Sequence, residues 1–196
     1  MEKSITFKEL SQRWLSVSSL GKTYTYQQNL QSYINHLNNG IGECKVTDVK
    51  PAHIDEIIRR LYIENPNTKK PTSKKVLKNI VDCATRIFDY AIENELIYKN
   101  PARNKKKVIP KNAPTKIVGA ITPEQQQLVI DTEHRAKIAA VIMMFMGLRT
   151  GEVLALEWGD IDLVNYKLSV NKRTQRISSN KYIVTEGTKN GKCRYV

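Results

Sequence analysis

Arg149 and Glu152 stand three residues apart in Met146–Asp162, MGLRTGEVLALEWGDID. Three residues is close to one helical turn, so the two side chains share a face and the carboxylate can hold the guanidinium in place. Just before them, Ile138–Met146 (IAAVIMMFM) is almost wholly apolar and is expected to form a buried helix that Gly147 ends. Arg149 is therefore expected at the edge of a core, partly desolvated, where a cation is costly unless it meets an anion. Val153, Leu154, Leu156 and Trp158 are expected to turn the chain back into that core. A guanidinium fixed in this way suits two-point binding of a phosphate diester. Taken alone, an Arg–Glu pair at this spacing is usually a solvated surface ion pair worth little. The seventeen-residue context around it is what gives it a candidate role.

Other chemistries find less support. Cys44, Cys83 and Cys193 are widely spaced without a CxxC pair, and His36, His53 and His134 are scattered. They read as reduced thiols and surface or helix-face histidines, not as a disulfide framework or a metal site. No apolar run approaches the ~18 residues of a membrane span, and the first ten residues lack a signal-peptide core. A cytoplasmic location is expected. The formal net charge of +13 favours a polyanionic partner. Residues 1–120 carry 21 Lys and Arg against 11 Asp and Glu, whereas residues 121–196 carry 11 against 8. The basic excess therefore lies in the first part of the chain.

The elements that must position these groups are read from periodicity and punctuation. Thr6 and Glu9 form a capping box ahead of a stripe of Phe7, Leu10, Trp14 and Leu15. A second helix is expected from about Thr23 to Asn39, stopped by Gly40. A third starts near Pro51, and Asn65-Pro66-Asn67 closes it. A fourth is expected from about Thr72 to Glu95, with Val76, Ile80, Cys83, Ile87, Phe88 and Ala91 inward. Four helices with short connections make an all-α domain over residues 1–100. Residues 101–120, with their prolines and lysines, are expected to be an extended basic linker. In residues 121–196, Thr122-Pro123-Glu124 opens a helix to about Glu133, and the apolar helix and the Arg149 helix follow. Strands are expected at Tyr166–Asn171 and Lys181–Thr185, with the start of a third in Thr188–Val196, turned at Asn190-Gly191. The expected fold class is mainly α with a small β portion.

Met146–Asp162 resembles the first arginine box of the tyrosine recombinases, the phage integrase family, whose pattern is close to TGLRxGELLALxWxDID. Gly147, Leu148, Arg149, Gly151, Glu152, Leu154, Ala155, Leu156, Trp158, Asp160, Ile161 and Asp162 match; Met146 departs from the usual Thr. The resemblance implies a SAM-like core-binding domain followed by the first half of an α+β catalytic domain. It implies site-specific recombination or integration of a phage or other mobile element. In this chemistry a tyrosine attacks a DNA phosphodiester, arginines stabilise the phosphate, and neither metal nor cofactor is needed. Glu186–Tyr195 (EGTKNGKCRY) is similar to the family's TKTxxSxR hairpin, which makes Lys189 the expected general acid, Lys192 its neighbouring alternative, and Arg194 the basic end of the pattern. Arg149 is the expected catalytic arginine, with Glu152 in support. No HxxR motif occurs, and no nucleophilic tyrosine is assigned, Tyr195 included. The chain is expected to be C-terminally incomplete and inactive alone; a naturally short, non-cleaving competitor for recombination sites is the alternative.

Double-stranded DNA is the expected partner, and the resemblance implies a homotetramer on paired sites for the whole protein. Helix starts suit phosphates because their N–H groups point outward. Lys22, Thr23 and Tyr24 stand at the start of the second helix, and Lys69, Lys70, Thr72, Ser73, Lys74, Lys75 and Lys78 at the start of the fourth. Lys105, Lys106 and Lys107 in the linker complete the expected DNA-binding set. A solvated basic face is the bland alternative for each cluster.

Overall fold

The computed structural model describes residues 5–188, 191 and 193–196. The chain divides into two compact units, Met1–Ile117 and Val118–Val196.

The first unit is helical. Helices α1 (Phe7–Ser18), α2 (Tyr24–Ile41), α3 (Pro51–Ile63) and α4 (Lys74–Glu93) surround one apolar core. The Thr6–Glu9 capping box is formed in both directions at the start of α1, and Thr23 caps α2 by accepting from the Tyr26 N–H. Pro51 occupies the first turn of α3, where its missing N–H costs nothing. The inward stripe of α4 comprises Leu77, Ile80, Val81, Cys83, Ala84, Ile87, Phe88 and Ala91, all buried. Phe88 meets Phe7 of α1 with ring centroids 5.3 Å apart, and Arg86 lies over the Trp14 ring at 5.2 Å.

Two expectations change here. Gly40 does not stop α2, which continues to Ile41. A Cβ on Gly40 would stand 2.6 Å from Ile57 Cγ1, so this glycine lets α2 and α3 approach closely. Nor is the segment after α4 an extended linker. The Asn100 amide donates to Thr85 O and Asp89 Oδ1, while its oxygen accepts from the Ala102 N–H. Lys105–Val108 forms a 3-10 turn, and Ala102, Ile109 and Ala113 are buried in the core of the first unit. Small and apolar side chains spaced among the polar ones give this stretch an inner face, which composition alone conceals.

Among the described residues, the second unit joins α5 (Pro123–Asp131), α6 (Lys137–Met146) and the single turn α7 (Thr150–Val153) to five short strands. A capping box between Thr122 and Gln125 opens α5. Strands β1 (Ile161–Asp162), β2 (Lys167–Val170) and β5 (Arg194–Tyr195) form one antiparallel sheet in the order β1-β2-β5; β3 (Lys172–Arg176) and β4 (Tyr182–Glu186) form a separate ribbon. Arg194 pairs with Val170, and Arg173 with Thr185. The sequence Lys172–Arg176 (KRTQR) has no apolar alternation, so hydrophobic pattern gives no sign of β3.

The core of this unit is small: Leu148, Leu168 and Val170, with Ile142, Val153, Leu156 and Ile161 against them. Helix α6 is not buried as expected; Ile138 is 75% and Phe145 61% exposed. The helix is apolar on every side, while the unit packs chiefly α5 and α7 on it. Leu154 is also exposed, and Trp158 is 85% exposed. Because α7 ends after one turn and Trp158 starts a new 3-10 turn, the helical spacing that should have carried both inward is broken.

Candidate functional site

Gly147 ends α6 with φ 65°, a left-handed conformation that favours glycine, and its N–H donates to Met143 O. The reversal buries Leu148 and leaves Arg149 as the N-cap of α7. Gly151 lies where α7 meets β3: a Cβ there would approach Thr174 O at 3.1 Å, and Thr174 Oγ1 donates to Gly151 O. The small residue between the arginine and the glutamate thus permits the close packing that fixes both.

Glu152 is the centre of the site, its side chain 2% exposed. Its Oε2 accepts from the Arg149 backbone N–H at 2.9 Å, and its Oε1 accepts from Arg149 Nη1 at 3.0 Å. The same oxygens accept from Arg194 on β5, Oε2 from Nη2 at 2.8 Å and Oε1 from Nη1 at 3.3 Å. The Arg194 hydrogen bond is the chief cause that holds the Glu152 carboxyl down to about 2; burial opposes it, and the Arg149 backbone and side-chain bonds assist. The carboxylate is therefore ionised, satisfied by four donors, and shared by two cations.

The expectation for Arg149 is corrected in one respect. Its side chain is 56% exposed, so the carboxylate, not the guanidinium, is what the fold desolvates. The glutamate three residues on can fold back to the N-cap, which keeps the carboxylate inside and turns the arginine outward. Two guanidiniums on one carboxylate leave one net positive charge, which a phosphodiester monoanion would balance. Among the described residues, Glu152 is the hydrogen-bonding partner of the Arg149 guanidinium, and its other donors are available for a ligand.

A second ionic cluster lies nearby in the chain. Lys172 Nζ donates to Glu157 Oε2 at 2.7 Å and lies 3.0 Å from the buried Asp160 Oδ2, which also accepts from the Glu157 N–H. Burial pushes the Asp160 carboxyl up, but these bonds outweigh it and hold the group below its usual range. The cluster ties the 3-10 turn Trp158–Asp160 to β3 and pairs Lys172 with two carboxylates. No spacing rule points to it. Lys189 and Lys192, the expected general acid and its alternative, lie outside the described residues. Among the described residues, no three His, Cys, Asp or Glu side chains are grouped to hold a metal, and no helix is long and apolar enough to cross a membrane.

The expected DNA-binding residues divide by their surroundings. Lys22, Thr23, Lys70, Lys75 and Lys78 are exposed, while Tyr24 and Ser73 are partly so. Lys69 adopts φ 54° beside Glu64 at 3.9 Å. Thr72 is buried; its hydroxyl accepts from the Asn65 amide, and its N–H donates to Leu61 O, which closes the loop before α4. Lys74 turns toward the chain, its Nζ donating to Lys111 O. Lys105, 15% exposed, pairs with Asp55 at 2.7 Å, and Lys106 pairs with Asp82. Lys107 is exposed. Lysines adjacent in sequence thus have different tasks, because the 3-10 turn points Lys105 and Lys106 at carboxylates of α3 and α4.

Comparison with known proteins gives a consistent result. The model of the phage integrase central domain matches residues 7–108, just over half the chain. A tyrosine recombinase XerC-like protein of Caldanaerobacter subterraneus subsp. tengcongensis is 26% identical over 184 residues, covering 90% of this chain and 46% of the relative. The ICEBs1 integrase of Bacillus subtilis is 25% identical over 193 residues, covering 96% and 50%. The chain thus spans about half the length of these relatives. Among solved structures, the Tn1549 transposon integrase in complex with a circular intermediate DNA superposes with a TM-score of 0.80 at 21% identity, over 98% of this chain and 60% of that one. A lambda integrase dimer bound to a core site gives 0.64 at 17% identity, over 93% and 49%. With the matched central domain, the arginine box and the fold in agreement, the chain belongs to the phage integrase family of tyrosine recombinases.

Proposed function

We propose that this chain supplies the DNA-binding part and the first phosphate-binding arginine of a site-specific recombinase that integrates or excises a mobile element. The observation that carries the reading is the buried Glu152 carboxylate, which fixes Arg149 with its guanidinium facing outward and leaves the site one positive charge in excess. Family membership supplies the substrate class, double-stranded DNA; the Tn1549 and lambda integrases it resembles in fold were solved on their DNA. In this reading the first unit neutralises backbone phosphates through Lys22, Lys70, Lys75, Lys78 and Lys107. Arg149 binds a non-bridging oxygen of the scissile phosphate. Lys189 protonates the leaving 5′ oxygen as a tyrosine from outside these 196 residues bonds to phosphorus. The whole protein acts as a tetramer on paired sites, in the bacterial cytoplasm where its DNA lies. These 196 residues, which hold no HxxR motif, bind DNA without cutting it.

The test is salt-dependent binding of the chain to duplex DNA carrying the element's junction. Substituting Lys75 and Lys78 together with Ala should reduce the slope of log K against log salt by ~0.9 for each phosphate no longer neutralised. Lys105→Ala, which breaks an internal pair, should leave the slope unchanged. A nicked junction duplex should yield no covalent adduct resistant to detergent. An unchanged slope for the double variant removes α4 from the interface, and an adduct overturns the assignment of the nucleophile to another part of the protein.

A further inference from the structure

The fork that Arg194 places on Glu152 is more than the second half of an ion pair. Arg149 is separated from Arg194 by the whole of β1 to β4, and strand pairing with β2 brings Arg194 back to the site. Glu152 uses each oxygen twice, once toward Arg149 and once toward Arg194. Arg149 reaches both oxygens as well, but its guanidinium is the group to be positioned, so without Arg194 the backbone N–H on Oε2 would be the carboxylate's one fixed donor from Arg149. With both oxygens also gripped from β5, the plane of the carboxylate is set, and with it the direction in which the Arg149 guanidinium points.

We propose that Arg194 is a positioning residue for phosphodiester binding: it orients the Glu152 carboxylate from β5, and Glu152 in turn orients Arg149. The inference rests on the proposed role of Arg149 as the phosphate-binding group. Any displacement of β5 also shifts the fork on Glu152, and with it Arg149. Lysine in place of Arg194 keeps the charge but offers a single ammonium, which cannot present two parallel donors to the two oxygens.

The experiment uses the 196-residue chain labelled with 13C,15N-arginine. The Arg149 side-chain signals, assigned by their loss in Arg149→Lys, report hindered rotation of the guanidinium; titration with dimethyl phosphate reports binding of a phosphodiester. The parent chain should show separate, slowly exchanging Nη signals for Arg149 and a saturable shift with dimethyl phosphate. In Arg194→Ala these signals should merge and the affinity should fall about tenfold; Arg194→Lys should recover part of both. Unchanged Arg149 rotation and affinity in a folded Arg194→Ala chain overturn the proposal. If Arg194→Ala unfolds the second unit, Arg194→Lys decides: intermediate values support the fork, and values equal to the parent overturn it. No dimethyl phosphate response in the parent, with the rotation still dependent on Arg194, defeats the phosphodiester reading of Arg149 and leaves the positioning role of Arg194 on Glu152 standing.

Discussion

Glu152 offers two oxygens to four donors, and the worth of that arrangement depends on its ionisation. Its carboxyl is held at about 2 in the folded chain, against an ordinary value of 4.5. A lowered folded value means that the unfolded chain takes up the proton first as pH falls. The stabilisation is therefore complete above about pH 5 and is lost as pH drops through the window between 4.5 and 2. A shift of this size corresponds to roughly 3 kcal/mol at most. Glu152→Gln should destabilise the second unit at neutral pH by up to that amount and flatten its loss of stability between pH 5 and 2. Urea denaturation followed at several pH values checks both. A parallel loss in parent and variant would mean that Asp160 and Asp162, also held low, govern acid unfolding instead.

At the scale of elements, the sequence is most legible where a local rule is complete. The Thr6–Glu9 box, the Thr23 cap, Pro51 and the stripe of α4 all depend on residues within a turn or two of one another. Arg149 and Glu152 are legible for the same reason. Contacts that depend on strand return are not: nothing near Arg194 in sequence says that β5 will pair with β2 and reach Glu152. Lys172 with Asp160 is hidden likewise, and Gly40 is ambiguous because a helix stop and a helix contact both call for glycine. Gly40 makes a direct test. Alanine is the better helix former by about 1 kcal/mol, so a solvent-facing glycine would be improved by it. Here the added methyl meets the buried Ile57 side chain at 2.6 Å, so Gly40→Ala should instead destabilise the first unit by about 1–3 kcal/mol. Denaturant midpoints measure this, and a gain in stability would show that α3 moves aside freely.

The whole molecule joins two units of unequal construction. The first buries a continuous core from Phe7 to Ala113, so the basic segment after α4 is part of a folded body and not a tether. The second buries few large apolar side chains and exposes Leu128, Ile138, Phe145, Leu154 and Trp158. Apolar burial is the main term opposing chain entropy, and each fully buried aliphatic side chain contributes about 1.5–3 kcal/mol. The units should therefore open separately, the second first. Hydrogen exchange of the 196-residue chain should show amides of α4 protected to the level of global unfolding, with those of α6 exchanging at least tenfold faster. A dye that binds exposed apolar surface should bind the native chain, and Phe145→Ser should weaken that binding. Equal protection in α4 and α6 would defeat this division and show that the second unit draws stability from contacts beyond its own small core. The functional consequence follows from the same inequality. On the proposed function, DNA affinity carried by the first unit should survive local opening of the second, whereas the Glu152–Arg149–Arg194 geometry should not, so binding and phosphate positioning should separate as temperature or denaturant rises.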